Sequence, residues 1–324
     1  MAFYLAAAQS IEAGDMSAAN TQLDSAIAHR RDFAAFHQSK GWVLTRLRQP
    51  DSAIASYKRS LDIKSHSPKV WAALGGLYQN SDRYQEAIVY LRKATAAYPD
   101  SAELRIALVD SYFRDKQYRK VLDGLAAYFR DFRSPHAPIA YKLRGVSFLK
   151  LKNYAAARAE LEYYCNLKFN DGEGWKSLGK ALFYLDLQNE AVTALNRAQK
   201  LIPGDPEIFL YRSRYFQHVE KNDIALEQIA VGLSLNPANA ELIAEKGILL
   251  YKNQNLEEAE ILLKQALKIQ ENTWIAYRYL GFIAEAKKQP KEAIDYFSVY
   301  IKNASKDDRE VQTRIEALGA GNGR

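Results

Sequence analysis

The chain has 324 residues and a formal net charge of +7, with 26% charged and 48% apolar side chains; this composition excludes disorder over most of its length. No five like charges stand together and one cysteine, Cys165, is present, so a polybasic arm for nucleic acid or anionic lipid and an internal disulfide are both excluded. A single core of this length would be at its upper limit, which leaves a divided chain or a stack.

The opening stretch, MAFYLAAAQSIEAGD, has an apolar run but no basic n-region, and Glu12 interrupts it. It fits neither a secretory signal nor a membrane span. It predicts the first helix of a repeat, entered so abruptly that we expect a fragment with a leader, anchor or further repeats upstream; the cytoplasm and the periplasm both stay open. Further along, Gly41, Gly75, Gly145, Gly179, Gly247 and Gly281 each precede an alanine by twelve residues: Ala53, Ala87, Ala157, Ala191, Ala259 and Ala293. The glycines are separated by 34, 70, 34, 68 and 34 residues, a period with one slip of two. Such a period marks an array of one supersecondary unit.

The repeat from Pro68 to Ser101 is the clearest. Trp71, Leu74, Gly75 and Tyr78 recur at i, i+3, i+4 and i+7 and predict one apolar stripe on a first helix. Ala87, Leu91 and Ala94 do the same on a second helix after a turn at Ser81, Asp82 and Arg83, and Pro99 ends the unit. With Pro68 as position 1, nine such hairpins fit the chain. Position 20 is alanine in all but the fourth, and every proline falls in a turn or at a helix start. A glycine inside a helix is unfavourable by roughly 0.5–1 kcal/mol relative to alanine, so the recurrence of Gly at position 8 and Ala at position 20 predicts a close helix crossing in which these two residues let the backbones meet. The fourth repeat has Val109 and Val121 there, and the segment from Arg133 to Pro138 carries the two extra residues. We therefore expect a change of pitch and a division into residues 1–137 (repeats one to four) and 138–305 (repeats five to nine), followed by 306–324. In that last stretch Val311, Ile315 and Leu318 predict an amphipathic helix covering the final repeat, with a frayed tail from Gly319 to Arg324.

Trp71, Leu74, Gly75, Tyr78, Tyr84, Ala87, Leu91, Ala94 and Pro99 resemble the tetratricopeptide repeat in full, and the repeat from Gly172 to Asp205 resembles it nearly as well. The resemblance covers almost the whole chain. It implies an all-α fold, a right-handed α-solenoid of about nine helix-turn-helix units with a C-terminal capping helix, and a groove lined by positions 2, 5, 9, 12 and 13 of each first helix. In repeats five to seven those positions include Lys142, Val146, Leu149, Lys150, Lys176, Lys180, Phe183, Tyr184, Arg214, Gln217 and His218. Cations here alternate with apolar and aromatic groups, a pattern suited to an acidic segment anchored by a hydrophobic side chain. Two specialised grooves of the family are not matched: Val146, Ser177 and Glu207 break the pattern of the chaperone-tail clamp, and position 6 lacks the asparagine ladder of sugar-transferring members.

The sequence holds no GxxxxGK[ST], GxGxxG, GxSxG or HExxH motif, and its five histidines lack ligand spacing. No catalytic residue, metal or cofactor is therefore expected. Nucleic acid is disfavoured because Glu103, Asp110, Glu173, Glu207, Glu241 and Glu285 interrupt the inner face. The expectation is a non-catalytic scaffold that binds a partner peptide or helix in the groove, in the assembly or secretion of a bacterial complex. The alternative is a regulatory or docking segment of a longer enzyme or export machine. Self-association through the end faces stays open.

Overall fold

Local chemistry starts the helices. Pro50, Pro68, Pro138, Pro206 and Pro290 stand in first helical turns, where a missing N–H leaves no intrahelical acceptor unserved. Asp15, Ser101, Asp171, Asp205, Asn239 and Asn255 accept hydrogen bonds from backbone N–H groups just ahead of them, the N-cap arrangement that satisfies otherwise orphaned donors. The computed structural model describes residues 1–132, 137–304 and 307–321, with side chains through residue 319. The described residues form nineteen α-helices and no strand.

The chain divides into two compact units, Met1–Tyr164 and Cys165–Arg324. In the first lie α1 (Ala2–Glu12), α2 (Met16–His29), α3 (Ala34–Arg46), α4 (Pro50–Ile63), α5 (Pro68–Asn80), α6 (Tyr84–Ala97), α7 (Ala102–Arg114), α8 (Tyr118–Asp131) and α9 (Pro138–Lys150). Helix α10 (Tyr154–Leu167) contains the division. In the second follow α11 (Gly172–Tyr184), α12 (Gln188–Leu201), α13 (Pro206–His218), α14 (Asn222–Leu235), α15 (Ala240–Lys252), α16 (Leu256–Ile269), α17 (Trp274–Ala286), α18 (Pro290–Asn303) and α19 (Arg309–Gly321). Of the segment in which the sequence places its slip, residues 133–136 lie outside the described residues.

The glycines at position 8 have a different partner from the expected alanine. A Cβ on Gly75 would come within 2.6 Å of the Leu91 side chain, on Gly179 within 2.7 Å of Leu195, on Gly247 within 2.9 Å of Leu263 and on Gly281 within 2.4 Å of Phe297. Each partner stands at position 24, on the second helix of the same hairpin, and is buried. The glycine makes room for a large apolar side chain, while the position 20 alanine contributes its backbone: the Ala191 and Ala259 carbonyl oxygens lie 3.3 and 3.2 Å from the built Cβ of Gly179 and Gly247. The alanines are themselves buried. In the fourth hairpin the exchange is reversed, since Val109 is buried and the bare position is Gly124 of α8, whose Cβ would meet Val109 at 2.9 Å.

Position 15 carries a second repeated feature. Arg48, Asp82, Lys116, Lys152, Asp186, Glu220, Gln254 and Lys288 all have φ between 56° and 64°, and Gly14 has φ 81°. The residue after each of these reaches back over the first helix, as in the hydrogen bond from the Arg83 N–H to the Tyr78 carbonyl (2.9 Å) and from the Gln289 N–H to the Ala284 carbonyl (2.9 Å). This left-handed end closes the first helix and turns the chain into the second.

The last helix packs on α18 with Val311 buried and Ile315 and Leu318 against the same cluster as Phe297 and Tyr300. It ends the stack with an apolar face inward, as a helical array requires. It continues through Gly321, so the stretch from Gly319 that the sequence reads as a tail begins as helix; residues 322–324 lie outside the described residues. Asp308 anchors this helix by accepting from the Val311 N–H (3.2 Å), Arg278 Nε (3.0 Å) and the Tyr300 hydroxyl (3.2 Å).

The left-handed turn and the Asp308 anchor can each be probed by substitution. Lys288→Gly, which relieves an L-residue held in the left-handed region, raises unfolding stability by about 0.5–1 kcal/mol, whereas Lys288→Val lowers it; denaturant midpoints report both. Burial opposes ionisation of Asp308, but the Val311 N–H and the Arg278 guanidinium outweigh it and hold the carboxyl below its ordinary value. Its stabilisation is present above the unfolded-state value of about 3.9 and lost as pH falls through the lower folded value. Asp308→Asn is thus destabilising at pH 6, and the gap to the parent narrows in melts taken below about pH 4.

Candidate functional site

In the second unit the first helices α11, α13, α15 and α17 touch in succession and form a wall lined by one face of each. An open concavity of about 510 Å³ lies on it, bordered by Phe183, Gln188, Arg214, Gln217, His218, Glu245, Ile248, Lys252, Ile275 and Tyr279. Phe183, Arg214, Gln217 and His218 border this concavity together. Lys176, Lys180 and Tyr184 stand beside them on α11. Lys142, Val146 and Leu149 stand on α9 in the first unit; Lys142 lies over the Tyr164 ring at 5.6 Å and Leu149 is buried.

The cations expected to attract an acidic partner are already matched within the wall. Lys176 Nζ lies 2.5 Å from Asp205 Oδ2, 3.0 Å from Glu173 and 3.5 Å from Glu207. Lys180 Nζ lies 2.5 Å from Glu207 Oε1. Arg214 Nε donates to Glu245 Oε2 at 2.9 Å, and Gln217 Nε2 donates to Glu245 Oε1 at 2.7 Å. Each of these pairs except Lys176 with Glu173 joins one hairpin to the next. Burial works against the charge of Lys176, but the Asp205 and Glu173 carboxylates outweigh it and push its pKa up; Arg214 is held charged in the same way by Glu245.

Tyr211 sits between these cations, with Lys180 and Arg214 each 5.4 Å from its ring centre. Its ring also packs edge-on against Phe183 at 5.3 Å, and its hydroxyl is 3.1 Å from that of Tyr184. Burial, with Tyr184 adding to it, pushes the Tyr211 phenol pKa up. Lys252 differs from the other cations: it is exposed and donates to the neutral Gln217 Oε1 at 2.9 Å.

The residues named from the sequence were those of repeats five to seven; Ile248 and Lys252, at positions 9 and 13 of the eighth, follow the same rule, whereas Tyr211, Glu245 and Tyr279 fall outside it. Tyr211, Glu245 and Tyr279 stand at position 6, which shares a helical face with positions 2, 9 and 13. That spacing was the available signal. Among the described residues no group of three or more His, Cys, Asp or Glu could hold a metal ion, and no helix is long and apolar enough to cross a membrane.

Hairpins that close through a bare helix position, with first helices aligned into a side-chain wall, define a helical-repeat protein. Tetratricopeptide-repeat family profiles match residues 10–68, 119–169 and 244–308, and also 68–111. These matches cover more than half of the chain, and the chain belongs to the tetratricopeptide-repeat family. It is 21% identical over 243 residues to human protein O-mannosyl-transferase TMTC1, covering 73% of this chain and 23% of that protein. It is 23% identical over 198 residues to the BBSome complex member BBS4 homolog of Drosophila melanogaster, covering 60% of this chain and 40% of that protein. The chain spans less than half the length of these curated relatives. A solved tetratricopeptide repeat protein from Parabacteroides merdae ATCC 43184 shares the fold, with a TM-score of 0.58 at 16% identity over 81% of this chain and 98% of that one.

The Arg214–Glu245 pair makes the wall's electrostatics testable. Glu245 is 5% exposed, so Glu245→Leu leaves a largely buried guanidinium unmatched and lowers stability by about 3–5 kcal/mol, while Arg214→Met with Glu245→Leu recovers most of the loss. Chemical denaturation of the three variants measures it.

Proposed function

We propose that the wall of the second unit binds an extended segment or a helix of a partner protein, and that the chain acts through this binding without catalysing a reaction. The chain is a protein-interaction scaffold by family and fold; the place and chemistry of binding are our own reading. One observation carries it: the concavity combines apolar surface from Phe183, Ile248, Ile275 and Tyr279 with polar groups fixed in place by the Arg214–Glu245–Gln217 network. Such a mixture of apolar anchoring surface and a few oriented polar groups suits recognition of a side chain with its flanking backbone.

An acidic residue in the partner finds its counterpart in Lys252 rather than in Lys176, Lys180 or Arg214, whose charges have carboxylate neighbours. The hydrophobic residue beside it enters between Phe183 and Tyr279. We place this activity in the assembly or secretion of a bacterial complex, on the strength of compact, uninterrupted repeats. A second reading, a docking or regulatory segment of a longer enzyme, is favoured by the match to a human transferase of which it covers 23%.

Site-directed photo-crosslinking tests the location. A crosslinker at His218, exposed in the concavity, captures the partner, while one at Ile261, exposed on the second helix α16, does not. Equal capture at both, or capture at Ile261 alone, rejects the wall as the binding surface.

A further inference from the structure

The fourth hairpin breaks the repeat's own packing rule, and the consequence is a cleft on the side of the second helices. In the hairpins α3–α4, α5–α6, α13–α14, α15–α16 and α17–α18 the first helix packs most extensively on its own partner. Helix α7 packs more extensively on the preceding α6 than on α8. We attribute this difference to Val109, which fills the position that is bare in most other repeats and is buried against Leu125's helix with Gly124 giving way beneath it. A cleft of about 340 Å³ opens between α6 and α8 with α7 as its floor.

Leu108 and Tyr112, both half-buried, form the floor. Ala96 on α6 and Gly124 and Ala127 on α8 form low walls that let another backbone come close. The rim is cationic. Arg92 and Arg105 are among the lining residues, none of which is a carboxylate, and Lys120 lies 5.5 Å from the Tyr112 ring centre. Arg105 is bound to Asp131 at 2.5 Å. Arg92 is exposed on α6, and among the described residues no carboxylate pairs with it.

We propose that this cleft is a second docking site, separate from the inner wall, that takes an acidic amphipathic segment of a partner protein. One large apolar side chain of that segment sits on Leu108 and Tyr112, and a carboxylate next to it pairs with Arg92. The low walls suit a helix laid into a groove, and Arg92, with no carboxylate partner among the described residues, selects for a negatively charged one. The site depends on Val109 being present and is independent of how the wall of the second unit binds.

The test pans a library of displayed random peptides against the full chain, then measures the enriched peptides against Ala96→Trp, which covers the cleft from an exposed position, and Arg92→Glu, after melts confirm that both variants fold as the parent does. The expected result is a set of peptides carrying Asp or Glu beside Leu, Phe or Trp, each losing affinity on the order of tenfold or more on either variant. Peptides that bind both variants as well as the parent, basic peptides, or no enrichment would overturn the proposal. So would dodecanoate binding in place of peptide, which reassigns the cleft to a small amphiphile, or a dimer in sedimentation equilibrium that Ala96→Trp abolishes, which reassigns it to a second copy.

Discussion

A missing side chain on one helix, facing a large one on the next, is the constraint on which the rest of this structure rests. With no Cβ at position 8, the Leu, Tyr or Phe at position 24 drops against the first helix's backbone, as Leu195 does on Gly179 and Phe297 on Gly281. That contact sets the distance and crossing in the six hairpins with glycine at position 8, because interiors packed this closely cannot absorb an extra methylene without strain. Hairpins of constant geometry then stack with their first helices in register, which is what gives the second unit a continuous wall. Where the rule is reversed, at Val109 and Gly124, α7 leans onto its other neighbour and the surface opens.

The wall's charges serve its own register before they serve a partner. Lys176 with Asp205, Lys180 with Glu207 and Arg214 with Glu245 each tie one first helix, or the turn before it, to the next. Partly buried ion pairs are weak net stabilisers, since desolvation offsets much of the attraction; their effect here is to penalise any slip that would leave a charge unmatched. The same pairing repeats at the end, where Arg278 meets Asp308 and Glu310 and Arg314 meets Glu285, so α19 takes the place of a further first helix. On the reading proposed above, a wall neutralised in this way selects its partner by shape and apolar fit, with the exposed Lys252 ammonium, bound to a neutral amide, as the group offered to a carboxylate.

The period and the paired helices were legible from Gly75, Ala87 and their counterparts, because six of the nine repeats carry glycine at position 8 and eight carry alanine at position 20. The identity of the residue facing the glycine was not. Periodicity gives the phase of a helix but not which side chain of its partner meets it, and Leu91 counts equally as a core residue in either arrangement. The left-handed residue at position 15 was largely hidden, since Arg48, Lys116, Lys152 and Lys288 are not types that announce positive φ; Gly14 does, and Asp82 and Asp186 do so weakly. On the wall, one-face spacing gathered Phe183, Arg214 and His218. It could not show that Arg214 would meet Glu245, a residue of the next repeat, so charges that looked available are paired. The packing of α7 on α6 could not be read from Val109 alone, because Gly124 compensates for it in part.

A double-mutant cycle on Gly247 and Leu263 tests the central contact most directly. Gly247→Ala forces a Cβ to within 2.9 Å of the Leu263 side chain, so in the parent it is destabilising despite alanine's better helix propensity. In a Leu263→Ala background the side-chain obstruction is gone and only the Ala259 carbonyl at 3.2 Å remains close, so the same change is much less destabilising, giving a coupling of about 1–2 kcal/mol. Additive effects of the two substitutions would contradict the account, because they would mean that the glycine is not there to admit the leucine.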